Sequence, residues 1–242
     1  MNALALEPLG DSALLVRLGD HIDTATNRCA LALAETLRAA ALPGIRDIVP
    51  AYASVCVHYD IAVFANVAGA KSPNLLAAEQ IGEIAAKFLE TRAARPNTDV
   101  DGEASPLEIP VCYGGEFGPA LGDVAAHAGI DEHSAIERHA KGDYRVAMLG
   151  FMPGFPYLLG LDASLHAPRR ASPRTRVPAG SVAIGGAQTG IYPRELPGGW
   201  QLIGRTPLVL FNPDRGQPAL LQPGQRVRFR AIDAGEFAAL SQ

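Results

Sequence analysis

The chain has 242 residues, enough for one large domain or two ordinary ones. With 48% hydrophobic and 19% charged residues it belongs with packed globular proteins and not with disordered chains. A formal net charge of −4 and a pI near 5.9 exclude the broadly basic surface that binds a nucleic-acid backbone.

Cys29, Cys56 and Cys112 are too few and too scattered for a disulfide framework or a zinc site. The first twenty residues lack a basic start, a long apolar core and a small-residue cleavage site, and no apolar run is long enough to span a bilayer. A cytoplasmic location, with no membrane and no nucleic-acid partner, is the expectation.

In chain order, residues 12–18 form a short apolar run after a Gly-Asp turn and predict a strand. Asp23 or Thr24 caps a predicted helix to about Ala41, with Cys29, Leu33 and Leu37 on one face and Pro43-Gly44 as its stop. Two strands are expected at 45–51 and 54–61, the second alternating Val55, Val57 and Tyr59 with Ser54, Cys56 and His58. Ile81, Ile84 and Phe88 have helical spacing within 75–95. With a strand at 107–112, this order matches a ferredoxin-like α+β unit, although periodicity does not say whether that strand pairs backwards or forwards. Residues 95–106 are polar and bounded by prolines, so they are the expected linker between an α+β domain at 1–94 and a second domain at 107–242.

Two short helices are predicted at 119–128 and 134–140. Strand-like runs follow at 144–150, 181–185, 188–192, 200–205, 207–211 and 226–232, separated by turn signals, which implies a β-barrel or a sandwich.

Chemistry concentrates between residues 150 and 206. That stretch holds ten of the 25 glycines, seven of the 19 prolines, the sole tryptophan and six arginines, against two acids and no lysine. Arg169-Arg170 and Arg174-x-Arg176 straddle Ser172-Pro173, and prolines at 168, 173 and 178 restrict the backbone. Guanidinium forks on so restricted a loop suit a carboxylate or a phosphate; the alternative is a solvated loop pairing locally with Asp162 or Glu195. Gly185-Gly186 lacks the phosphate-loop spacing and its Lys-Ser/Thr ending, and reads as a bulge or a close approach beside which Gln188 and Thr189 present polar groups. His166, near the arginines, is the best acid–base candidate. His133 and His139 are six apart and share no helix face. Cys112 reads as a small buried thiol more readily than as a nucleophile, and Ser181 lacks the Gly-x-Ser-x-Gly elbow.

Several blocks occur in order from about residue 8 to 230. They include Gly10-Asp-Ser-Ala-Leu-Leu-Val16, Val49-Pro-Ala-Tyr52, Ile109-Pro-Val-Cys-Tyr-Gly-Gly-Glu116, Leu149-Gly-Phe-Met-Pro-Gly-Phe-Pro-Tyr157, Pro168-Arg-Arg170, Val177-Pro-Ala-Gly-Ser181, Gln188-Thr-Gly-Ile-Tyr-Pro193, Pro197-Gly-Gly-Trp200 and Leu202-Ile-Gly-Arg-Thr-Pro207. Together they resemble the family of the bacterial 5-oxoprolinase B subunit, also called KipI and equivalent to allophanate hydrolase subunit 1. Ile184-Gly-Gly-Ala187 departs from the Ala-Gly pair that members usually carry there. The resemblance implies an N-terminal α+β domain and a cyclophilin-like β-barrel. It implies two partners, a KipA-like C subunit and an A subunit. With them, ATP hydrolysis, assisted by Mg, is coupled to opening 5-oxo-L-proline to L-glutamate. On that basis His166, Arg170 and Arg174 are the expected catalytic residues. Arg169, Gly185, Gly186, Gln188, Thr189, Tyr192 and Arg205 are expected to bind the substrate or its anionic group, and no metal ligand is expected. The same resemblance leaves open a KipI-type inhibitor of a histidine kinase, or the carboxyltransferase half of a urea carboxylase or allophanate hydrolase system.

Overall fold

In the computed structural model, which describes residues 5–68, 71–94 and 105–241, the first strands and helices build a four-stranded antiparallel sheet with helices against it. The sheet order is β1-β2-β4-β3, from β1 (Ala5–Pro8), β2 (Ala13–Arg17), β3 (Ile45–Pro50) and β4 (Ser54–Tyr59). The helices are α1 (Thr24–Ala39), α2 (Ile61–Ala68) and α3 (Pro73–Ala94). Asp23 starts α1 by accepting the backbone N–H of Thr26 at 2.8 Å, which satisfies one otherwise orphaned donor. Along β4 the alternation holds: Val55, Val57 and Tyr59 are buried while Ser54, Cys56 and His58 are not. Leu14, Val16, Leu33, Leu37, Ile48, Val55, Val57 and Ile81 share one core, each contributing about 1.5–3 kcal/mol through apolar burial.

Two expectations change here, and one open question is decided. The strand expected to reach Ile61 stops at Tyr59, because the Asp60 carboxylate accepts the backbone N–H of Ala62 at 2.9 Å and opens α2, which periodicity did not reveal. The sheet's fourth strand is β1, from a segment with too few residues to show alternation. The strand at 107–112 does not join this sheet; it pairs forwards, with strands far along the chain.

The chain divides into two compact units, Met1–Glu103 and Ala104–Gln242. The expected linker at 95–106 lies, apart from residues 105 and 106, outside the described residues. The second unit contains β5 (Leu107–Tyr113), α4 (Leu121–Ala128), α5 (Glu132–Lys141), β6 (Tyr144–Leu149), β7 (Pro156–Leu159), β8 (Arg174–Val177), β9 (Ser181–Gly185), β10 (Gln188–Ile191), β11 (Leu196–Gly198), β12 (Gln201–Arg205), β13 (Arg226–Ile232) and α6 (Ala234–Leu240), with a 3-10 turn at Ala163–Leu165. Seven strands close into a barrel in the order β10-β7-β6-β13-β5-β12-β9, with β9 returning to β10. The barrel is mixed because β13 runs parallel to β5. Closure decides between the barrel and the sandwich that the strand density left open. The run at 207–211 makes only an isolated bridge from Phe211 to Ala219, since Pro207 has no N–H to continue a ladder from β12.

Inward-facing Ile109, Val111, Val146, Leu158, Val182, Ile184, Ile191, Ile203, Val227 and Phe229 make the barrel core, which α4 and α5 also join through Val124, Ala125 and Ala135. A second cluster, Phe155, Val177, Ala183, Tyr192, Trp200 and Leu202, occupies the opposite strand parity and hence the outer face of β9, β10 and β12. The ribbon β8–β11 stands beside it, Val177 and Leu196 packing into the cluster.

One polar chain runs through the core. His139 contacts the Tyr113 hydroxyl through Nδ1 at 2.8 Å and Thr189 Oγ1 through Nε2 at 3.1 Å, and Thr189 Oγ1 donates to the Ala183 carbonyl at 3.0 Å. With its hydrogen committed to Ala183, Thr189 accepts from Nε2–H, so Nδ1 accepts from Tyr113. Burial drives the His139 pKa down to about 3, keeping the ring neutral.

Candidate anion-binding site

The backbone of the arginine loop is stitched to the barrel. Ala167 and Gly186 exchange hydrogen bonds of 3.3 and 2.7 Å, Gln201 Nε2 donates to the Pro168 carbonyl at 3.0 Å, and the Arg170 N–H donates to the Gly199 carbonyl at 2.7 Å. Proline restriction and these four bonds leave little backbone freedom between Ala167 and Arg174.

Two of the arginine side chains meet at Trp200. The Arg169 guanidinium carbon stands 5.6 Å from the centroid of the Trp200 ring, within cation–π range. Arg174 donates to the Trp200 carbonyl at 3.3 Å. Among the described residues neither Arg169 nor Arg170 pairs with a carboxylate. Burial, and then the charge of Arg170, pull the Arg174 guanidinium below its usual pKa range. Arg176 behaves differently: Glu195 grips it through two hydrogen bonds of 3.0 Å, the local pairing that the alternative reading expected.

Beneath the arginines lies an aromatic platform. Trp200, 6% exposed, meets Phe155 edge-on at 5.7 Å and Tyr157 at 5.9 Å, and Phe155 meets Tyr192 at 5.2 Å. Glycines make this packing possible. A Cβ on Gly185 would lie 2.6 Å from the Trp200 indole, and one on Gly198 would lie 2.4 Å from the Tyr192 hydroxyl. The room beside Gly185 is therefore filled by the indole and is not left open for a ligand. Burial raises the Tyr192 phenol pKa, with the Trp200 N–H, Arg169 and Arg174 acting in the opposite direction. Burial likewise raises that of Tyr157 against the charge of Arg169. Both phenols stay protonated at neutral pH.

The remaining expected residues disperse. Gly186 sits in the two-residue turn from Gly185 to Gln188 at φ +67°, and Gln188, paired across from Gly185, shares the outer face of the platform. Thr189 points the other way, into the His139 chain. Arg205 ends β12, five residues or roughly 16 Å along the strand from Trp200. Its Nε donates to the Ala179 carbonyl at 2.8 Å, and its guanidinium lies 5.9 Å from the Phe237 ring. His166 is half-buried at the end of the 3-10 turn. Cys112 is buried, its thiol pKa raised by burial and then by Asp233 and Glu116, so it is no activated nucleophile.

Sequence reasoning missed the platform's role, although Trp200 stood out as the sole tryptophan. Burial, the expectation for the aromatics of this stretch, fails at Phe151, which is 67% exposed at φ +66°, a left-handed conformation that a bulky residue rarely adopts.

A closed barrel with an outer arginine–aromatic site, preceded by a separate α+β unit, defines a class of two-part proteins. The family model for carboxyltransferase domains, subdomain C and D, matches residues 4–221, and the chain belongs to that family. Within it, the chain is 41% identical to the B subunit of 5-oxoprolinase from Bacillus subtilis (strain 168) over 98% of its own length and 96% of that protein's. It is 42% identical to the B subunit of 5-oxoprolinase from Escherichia coli O157:H7, covering 91% of this chain and 93% of that one. The resemblance read from the motifs is thereby borne out. Among solved structures, TTHA0988 superposes with a TM-score of 0.73 at 36% identity, covering 92% of this chain, which spans 40% of that longer chain. Urea carboxylase of Kluyveromyces lactis superposes with a TM-score of 0.71 over 98% of this chain and 22% of that one; at 19% identity this is a likeness of fold alone.

Proposed function

We propose that this chain is the B subunit of an ATP-dependent 5-oxoprolinase, acting with partner subunits to open 5-oxo-L-proline to L-glutamate. The single observation that carries the reading is 41–42% identity, over nearly the whole chain, to two proteins named as that B subunit. The arginine site supports it. Lactam opening driven by ATP transfers a phosphoryl group and develops negative charge on oxygen, which prearranged guanidinium donors stabilise. Arg170 and Arg174 take the catalytic role in this reading, with His166 as the acid–base candidate. Arg169 and Gln188 lie on the binding surface, with Tyr192 buried in the platform beneath it.

Partners follow from the same reading: a KipA-like C subunit and an A subunit of 5-oxoprolinase, in the cytoplasm. The arginine site offers donors for phosphoryl oxygens. Among the described residues no group of three His, Cys, Asp or Glu side chains is placed to hold a metal. In this reading ATP and its Mg²⁺ sit at the boundary with a partner subunit. The finer fold reading, ferredoxin-like for the first unit and cyclophilin-like for the barrel, belongs to the same proposal.

The test is co-purification with the A and C subunits and an assay of ATP-dependent glutamate release. Release that needs all three proteins supports the reading. No release from the assembled complex, or equal turnover by the isolated chain, overturns it.

A further inference from the structure

We propose that Arg169 over the Trp200 ring, Arg174 on the Trp200 carbonyl and the adjacent Arg170 bind a phosphoryl group and not the single carboxylate of 5-oxoproline. The inference rests on reading this surface as the anion site of the proposed enzyme.

Charge balance comes first. Between residues 150 and 206 the only acids are Asp162 and Glu195. Glu195 is held by Arg176 through two bonds of 3.0 Å, and Asp162 caps Ser164 at 2.8 Å from its N–H and 2.7 Å from its hydroxyl. Arg169 and Arg170 thus have no carboxylate partner among the described residues, and Arg174 feels only the charge of Asp123 and makes no ion pair with it. One carboxylate offers two oxygens and a single charge, leaving most of that field uncompensated. A phosphoryl group carries about −1.5 to −2 charge at neutral pH and three acceptor oxygens. Three forked donors match three oxygens, and hydrogen bonds between ions are the stronger kind.

Access and order come second. Arg169 and Arg170 are exposed, so a small anion reaches them in the isolated chain. Their backbone is pinned through Pro168 and Arg170 to Gln201 and Gly199, which reduces the ordering cost of binding. The site also carries its own reporter, because Arg169 stands over the only tryptophan of the chain.

The experiment titrates the full chain with inorganic phosphate at constant ionic strength, following Trp200 emission and, independently, heat by calorimetry. A saturable change is expected in both. Arg174→Ala and Arg170→Ala should each weaken binding about ten-fold or more. Arg176→Ala, which removes an arginine already paired, should leave it within about two-fold, with folding of every variant checked by circular dichroism. 5-Oxoproline should bind at least about ten-fold more weakly than phosphate. Competition between ATP and phosphate, with the same arginine dependence, assigns the phosphoryl group to the nucleotide; phosphate binding that ATP does not displace assigns it to an activated substrate. Either result supports the site. No saturable binding, tighter binding of 5-oxoproline, or an equal loss in Arg176→Ala overturns it. Absent phosphate binding with intact glutamate release in the complex sinks this inference alone. Intact binding without release sinks the proposed reaction alone.

Discussion

At the scale of single residues, the site depends on groups that differ little in sequence and greatly in surroundings. Arg174 and Arg176 are two positions apart on one strand, yet Arg174 is turned to the Trp200 carbonyl and Arg176 is neutralised by Glu195. In the assembled complex, Arg170→Ala and Arg174→Lys are expected to lower glutamate release by about ten-fold or more, because a lysine cannot reproduce a two-pronged contact. Arg176→Ala should stay within about two-fold, as an exposed pair contributes little. Near-normal rates for the first two, with assembly intact, would assign these arginines to structure. Gly185→Ala gives a second residue-scale prediction. Its new Cβ collides with the indole 2.6 Å away, so a loss of about 1–3 kcal/mol and an altered tryptophan emission are expected in a denaturant titration.

The loop between β6 and β7 carries two aromatics with opposite duties. Phe151 is 67% exposed and strained at φ +66°, whereas Phe155 is 2% exposed at the centre of the platform. Thermal unfolding should therefore show Phe151→Gly neutral or stabilising, since glycine adopts that backbone without strain, and Phe155→Ala destabilising by about 3–5 kcal/mol. A large loss from Phe151→Gly would mean that its edge contact with Phe155 outweighs the strain. Helix α5 supplies the pH prediction. The folded pKa of His139 lies near 3, below its unfolded value of 6.5, so the unfolded chain binds the extra proton. Stability from this group is complete above pH 6.5 and falls as pH drops from there towards 3, by up to about 1.4 kcal/mol per pH unit. His139→Gln should flatten that part of the stability–pH profile; an unchanged slope would show that the acid sensitivity lies in other groups.

For the whole molecule, the two compact units predict that a fragment beginning at Ala104 folds by itself, because the barrel's strands, its two covering helices and its core all lie within it. Cooperative melting and retained phosphate binding by that fragment would establish it; a fragment without a thermal transition would not. What the sequence by itself determined is local. Capping by Asp23, the alternation in β4 and the surplus of arginine over acid all follow from residues close together in the chain, whereas the glycine pair read as a bulge proved to be the β9–β10 turn. The motif blocks likewise carried the family. Tertiary structure alone decided that Leu107–Tyr113 pairs with the distant Arg226–Ile232, that Ala5–Pro8 completes the first sheet, and that Thr189 looks inward to His139. It alone separated Arg205 from its neighbours in the expected site and placed Trp200 beneath Arg169. The reason is physical. A strand's periodicity records which of its faces is buried but not what buries it, and a guanidinium's role depends on which carboxylates, carbonyls and rings the fold brings within a few ångströms.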